Sequence, residues 1–387
     1  MGAHHPRHAA AETGQLRRVA VAVIAPIALV TLVAMIWLWP SDGVSLSGQS
    51  GAAEQFSGEV TAINQQECPE KLADEVNGCG SAEVRVTTGA DEGQEITTPL
   101  PNGPGAPKIA EGDDVVLIQT TSPDGEVYSI VDHQRASELW ILVAAFVLAL
   151  VAFGRWRGVT ALAGLAATFA LLLFFVVPAI LAGEPPLLVA IVGSAAITLT
   201  VLYLTHGFAL STTVAVLGTL VSLALTGLLS AAAVSALHLT GITDDISTSL
   251  GVTSTVNMEG LLLAGIVIGS LGVLDDVTVT QAATVTELAR ANPAFRFAQL
   301  YRAGSRVGRS HIASVVNTII LAYAGSSLPL LILILANNDS LGEVVTDQII
   351  AQEIVRSVVA TLGLIAAVPV TTGLAALTFR GQDDRSG

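Results

Sequence analysis

The chain has 387 residues, of which 52% are hydrophobic and only 13% charged, and its mean hydropathy is +0.67. A soluble domain carries about a quarter charged residues, so this composition excludes one and points to an integral membrane protein. The net charge of −15 is concentrated between Glu54 and Asp132, where sixteen Asp or Glu face three Lys or Arg; the rest is nearly neutral, and no nucleic-acid partner is indicated.

Residues 1–18 form a basic tail with His4, His5 and His8, read as a solvated cytoplasmic tail and not a metal site. Residues 19–39 supply about the 20 apolar residues a span needs. They end in "AMIWLWP", with Trp37 and Trp39 at interfacial depth. The run is too long for a signal peptide, so it is expected to remain as the first helix. Residues 40–137 change character. "FSGEVTAI", "AEVRVTTG", "QEITTPL", "DDVVLIQTT" and "EVYSIVDH" alternate apolar and polar residues between turns such as "PNGPGAP". This predicts a small β-barrel or sandwich. Both cysteines, Cys68 and Cys79, lie here. In an oxidising compartment they are expected to pair, since no other cysteine competes; the alternative is two free thiols.

Seven further spans are expected at about 139–153, 159–181, 187–205, 211–233, 260–280, 312–335 and 357–379, within a membrane domain over residues 138–380. A cytoplasmic loop at 285–310 and a tail at 381–387 complete the plan. The fold class is therefore an α-helical polytopic protein of eight transmembrane helices, with an extracytoplasmic β-rich domain between helices one and two. Charge sets the orientation. With the N-terminus inside, the cytoplasmic segments hold Arg7, Arg17, Arg18, Arg155, Arg157, Arg290, Arg296, Arg302, Arg306, Arg309, Arg380 and Arg385, whereas "GEPP" and "LANNDSLGE" outside hold none. Both termini are then cytoplasmic, and the acidic domain is exported.

The fifth of these seven spans contains "GSLGVLDDVTVTQAA", with Asp275 and Asp276 adjacent. At about 100° per residue, Gly265 and Gly269 lie about 20° from Asp276 and Gly272 about 40°. Small residues permit close helix approach, so Asp276 is expected to point into the bundle, with Asp275 turned about 100° aside. Three readings remain open. The helix ends at Val273 and leaves both carboxylates in water; or they make structural hydrogen bonds to Ser and Thr; or they form an ionisable site, the default for a carboxylate at membrane depth. Two adjacent carboxylates repel, which favours proton handling over a fixed metal.

Asn317, sharing a helix face with Ser314 and Thr318, is the candidate neighbour of these carboxylates. Glu353 and Arg356, three residues apart, read as a salt bridge at the start of the last helix. His206 reads as a helix-end residue. "FRFAQLYRAGSRVGRSH", with Arg296, Arg302, Arg306 and Arg309, reads as a helix resting on anionic lipid. "GSRVGRS" lacks the spacing of a phosphate loop. No zinc, dinucleotide or nucleophile constellation is present, so no cofactor, metal or enzymatic activity is expected.

"LLLAGIVIGSLGVLDDVTVTQAATVTELARANP", "GRSHIASVVNTIILAYAGSSLPLL", "YLTHGF" and "EIVRSVVATLGLIAAVPVTT" resemble the YibE/F-like family of bacterial multi-pass membrane proteins. That resemblance implies the bacterial cell membrane but no activity. The glycine-rich helix with Asp near its inner end, followed by a Ser/Thr/Asn-rich return helix, is also similar to a helix pair of resistance–nodulation–division transporters and Sec-export accessory subunits. Those proteins use membrane carboxylates for proton coupling. On that similarity, Asp275 or Asp276 would match the coupling Asp, although the doubled Asp, the extra helices and the smaller external domain depart from the pattern. The expected function is proton- or ion-coupled transport or export assistance, acting on an unknown solute or ion, with Asp276 as the main titrating group and Asp275 and Asn317 as its neighbours. The rival is a membrane scaffold or sensor that binds a protein partner through its external domain. The lipid bilayer is a partner in either case.

Overall fold

A computed structural model describes residues 7–40, 55–68, 76–89, 91–122, 125–243, 245–253, 256–329, 331–332, 342 and 346–379. The side chains of His4, His5 and His8, the loop "LANNDSLGE" apart from Gly342, the end of the expected 312–335 span and the tail 381–387 lie outside the described residues. The chain divides into two compact units, Ser45–Arg155 and the pair of segments Met1–Val44 and Trp156–Gly387.

The first unit holds five strands: β1 (Gln55–Gln66), β2 (Cys79–Val86), β3 (Glu95–Pro99), β4 (Asp114–Ser122) and β5 (Gly125–His133). They form one antiparallel sheet in the order β3-β2-β1-β4-β5. Alternation in β1 and β2 places Phe56, Val60, Ala82, Val84 and Val86 on one buried face with Val115, Leu117 and Ile130. A bulge between Val60 and Ala62 and another between Val116 and Leu117 bend the ladders. The sheet curls until its edge strands meet, where the Thr98 hydroxyl donates to the Tyr128 carbonyl at 2.8 Å. The result is a curled sheet closing toward a barrel, not a sandwich. Cys68 and Cys79 are disulfide-bonded, with Cα atoms 5.2 Å apart. Asn77 fixes the long loop before β4: its Nδ2 donates to the Pro101 and Pro107 carbonyls at 2.6 and 2.8 Å, and its Oδ1 accepts from the Ile109 amide at 2.9 Å. The unit ends in α2 (Ala136–Gly154), an apolar helix none of whose residues is buried.

The second unit is helical. It comprises α1 (Arg7–Trp37), α3 (Trp156–Leu171), α4 (Val177–Leu181), α5 (Pro186–His206), α6 (Leu210–Ala236), α7 (Asp245–Thr253), α8 (Met258–Ala291), α9 (Phe297–Ser326) and α10 (Gln348–Phe379). A π turn at Leu172–Val176 joins α3 to α4 and turns Phe175 and Val176 into a core with Leu38, Val189 and Met258. Across both units, seven helical segments among the described residues are long and apolar enough to cross a membrane, one of them the joined α3–α4. The segment α9 is not among them.

The helix α8 is the spine. Asn257 caps it by accepting from the Gly260 amide at 2.8 Å. Its 34 residues span roughly 50 Å, beyond the ~30 Å apolar thickness of a bilayer. The ending at Val273 is thereby overturned: the helix continues through both aspartates to Ala291. The segment expected as a cytoplasmic loop at 285–310 is mostly helical, and its Arg-rich part is a helix, as expected. Only residues 292–296 separate α8 from α9, and the Arg-rich stretch is the first half of α9. The residues "TVTELARA" keep good helix formers after the apolar run, which is why the helix persists. The short helix α7 lies in a segment for which no element was expected.

Around α8 pack α5, α6, α9 and α10. The close contacts are made by glycines elsewhere than expected. A side chain at Gly363 of α10 would collide with the Thr226 hydroxyl, and one at Gly218 of α6 with that of Thr371. On α9, a Cβ at Gly304 would stand 2.8 Å from a Val285 methyl, and one at Gly308 2.8 Å from Gln281 Oε1. Gly265 and Gly272 face open space, and Gly269 nears only the Tyr323 hydroxyl, at 3.5 Å. The expected packing stripe is therefore an exposed face. The reason is composition: glycine offers no area to bury, while Ile266, Val267, Leu271, Leu274 and Val277 on the other side do.

Candidate ion site

The two adjacent carboxylates part company. Asp276 is exposed, on the same outward face as Gly265, Gly269 and Gly272. The expectation that those glycines aim it into the bundle is corrected. Asp275, about 100° round the helix, lies at the edge of the buried face and is itself half-buried.

Asp275 meets two other helices. The Thr198 hydroxyl of α5 donates to its Oδ1 at 3.5 Å. The Thr219 hydroxyl of α6 lies beside the same carboxylate. Thr219 shares a 2.7 Å hydroxyl–hydroxyl bond with Thr278 of α8, and the Thr278 hydroxyl reaches the Asp275 carbonyl at 3.1 Å. Thr198, Thr219 and Thr278 are fully buried. The carboxylate thus meets hydroxyls from two neighbouring helices, α5 and α6, while the Thr278 hydroxyl of its own helix bonds the Asp275 backbone carbonyl. Burying a charge is costly unless it is hydrogen-bonded, and these hydroxyls lower that cost without neutralising the charge.

The polar character extends along the interior. Ser194 lies one turn before Thr198, and Ser222 three residues after Thr219; both are fully buried, and neither hydroxyl has a hydrogen-bond partner. Thr226 and Ser230 continue the α6 row, each donating to the carbonyl four residues earlier. Toward the other end of α8, buried Gln281 donates to the Gly304 carbonyl at 2.9 Å and to the Thr372 hydroxyl at 2.7 Å. The helices against Asp275 carry few charges: α6 has none, α5 ends in His206, and α10 holds Glu353 and Arg356, paired at 3.0 Å.

Asn317 does not join this cluster. It is exposed, about 160° round α9 from the buried Ile319, because α9 turns its glycines and Ile319, not its amide, toward α8 and α10. Among the described residues, no three His, Cys, Asp or Glu gather as metal ligands. The residues that surround Asp275 were missed in the sequence. Their signal was present as hydroxyls at spacings of three and four in otherwise apolar helices, "GTLVSLALTGLLS" above all.

These features define a multi-helix membrane protein with a carboxylate held among hydroxyls in its helical interior. The chain belongs to the YibE/F-like family, whose match covers residues 142–381, from α2 through α10. No curated protein and no solved structure matches it.

Proposed function

We propose that this protein is a proton- or ion-coupled transporter, or an export-assisting protein, of the bacterial cell membrane, and that Asp275 is its ion-handling group. The observation that carries the reading is Asp275 itself: a carboxylate inside a helix bundle, met by hydroxyls from α5 and α6. An ionisable residue at such depth is costly and is rarely kept for packing alone. In this reading the second half of α9 makes an eighth span. Both termini lie in the cytoplasm, as the arginine distribution favours, and the sheet unit lies outside, where its disulfide is stable. The role involves no covalent catalysis.

The test is ion flux in proteoliposomes, followed with a pH-sensitive dye and with sodium-22. Asp275→Asn is expected to abolish flux, and Asp276→Asn to retain it. Flux unchanged in Asp275→Asn, or absent for both ions in the wild type, rejects the reading. A scaffold or sensor role would then be favoured if removal of residues 55–133 abolished only a protein interaction.

A further inference from the structure

Resting on that reading of Asp275, we infer that the oxygen cluster around it is a binding site for one dehydrated monovalent cation of the sodium class. The cluster offers hard oxygen donors only. The carboxylate meets the hydroxyls of Thr198 and Thr219, the Thr278 hydroxyl bonds Thr219 and the Asp275 backbone carbonyl, and Ser194 and Ser222 lie about a turn away along their helices.

Three features favour a cation over a purely structural cluster. First, the two serine hydroxyls are fully buried yet unpartnered. A buried polar group without a partner costs free energy, and a bound cation would use the lone pairs that no protein donor occupies. Second, the geometry converges. Only residues 207–209 join α5 to α6, and the two helices pack together, so they run antiparallel. Stepping back from Thr198 to Ser194 and forward from Thr219 to Ser222 therefore moves toward the same side of Asp275. The two unpaired hydroxyls are thus displaced from Asp275 in the same direction along the helix axes. Third, the charge fits. Asp276 faces away, so the site contributes one formal negative charge. That balances a monovalent ion; divalent sites gather more carboxylates. Hydroxyl and carboxylate oxygens replace a hydration shell in the way carbonyl rings do in channel filters.

The test uses a carbodiimide, which modifies a buried carboxyl only when it is protonated and free of cation. Full-length protein in native membranes is labelled at fixed pH in sodium chloride or in choline chloride of equal ionic strength, and labelling at Asp275 is read by peptide mass spectrometry. Sodium is expected to protect Asp275 in a saturable manner. Ser194→Ala and Ser222→Ala are each expected to raise the half-protecting sodium concentration about tenfold, the loss of one ligand to a charged group. Sodium-22 binding to purified wild-type protein should reach one ion per chain and vanish in Asp275→Asn, which keeps the inference testable should a serine variant misfold. Labelling that falls as pH rises but is identical in sodium and choline overturns the cation site while leaving Asp275 as a proton carrier. Absence of labelling under every condition, together with normal flux in Asp275→Asn, overturns the functional reading as well.

Discussion

Gln281 is the joint of the helical unit, and its replacement tests how the interior polar groups hold the bundle. Its Nε2 donates to α9 at the Gly304 carbonyl and to α10 at the Thr372 hydroxyl, at 2.9 and 2.7 Å. Gln281→Leu keeps the volume and removes both bonds. Hydrogen bonds between helices in membrane proteins average about 0.6 kcal/mol and reach about 1.7. Neither partner is orphaned by the change. The Gly304 carbonyl keeps its helical bond, and the Thr372 hydroxyl still donates to the Val368 carbonyl at 2.6 Å. The desolvation penalty of an abandoned buried group is therefore avoided, and the expected cost is about 1–2 kcal/mol. Gln281→Ala should cost about 2 kcal/mol more, because Gly304 and Gly308 pack directly on this side chain and cannot fill the cavity. Unfolding in mixed micelles, titrated with a denaturing detergent, measures both. A cycle with Thr372→Val should give a coupling of about 0.6–1.7 kcal/mol. A Gln281→Leu protein as stable as wild type, or a coupling near zero, would refute the claim that this side chain ties three helices together.

Three further outcomes are expected. Gly308→Val and Gly363→Val should each destabilise by about 1–3 kcal/mol through overpacking. Gly265→Ala and Gly272→Ala, on the open face of α8, should be neutral or stabilise by up to about 1 kcal/mol through helix propensity; the same micelle titration reads all four, and the opposite order would restore the glycine stripe as a packing seam. In the sheet unit, Arg135 grips Asp132 through two 2.8 Å bonds, and these, with the His133 amide, lower its pKa from 3.8 to about 2. The folded state thus favours ionised Asp132: the contribution is present above pH 3.8 and is lost as the pH falls through about 2. Carboxyl NMR assigned by difference against Asp132→Asn should place the midpoint near 2, and Arg135→Gln should return it toward the ordinary range; an unmoved midpoint refutes the pairing. Finally, Cys68 and Cys79 close a loop with a separation of 11 residues, so Cys68→Ser with Cys79→Ser should lower sheet stability by about 2–3 kcal/mol, measured by urea unfolding; equal midpoints would show that the loop is constrained without the bond.

Composition and period made most of the architecture legible. Long apolar runs located the spans, and two-residue alternation located the strands, because each pattern follows from burying one face of a regular element. What the patterns do not carry is which face of a helix is inward once every face is apolar or small. The whole circumference of α8 is compatible with either lipid or protein, so Gly265, Gly269 and Gly272 looked like a seam. The α8 seam is set by partners far along the chain, at Gly304 and Gly308 of α9, while Gly218 and Gly363 close the contact between α6 and α10. Likewise, the shared face of Ser314, Asn317 and Thr318 pointed to Asn317 as the neighbour of the aspartates. The neighbours prove to be threonines at 198 and 219, residues common enough in apolar helices to attract no notice singly.

The adjacency of Asp275 and Asp276 can now be given a physical meaning. Consecutive residues on a helix point about 100° apart; here Asp275 is half-buried at the edge of the core face and Asp276 faces outward. They are one interior charge and one surface charge that happen to be neighbours in sequence. Under the proposed function, neutralising Asp276 should leave ion handling at Asp275 intact, whereas neutralising Asp275 should not be compensated by its neighbour without a rotation of α8. Such a rotation would drag Leu271, Leu274 and Val277 out of the core, and fully burying each such side chain is worth about 1.5–3 kcal/mol. In the proposed role, packing of α8 is what selects Asp275 over Asp276, and the hydroxyls of α5 and α6 are what it faces.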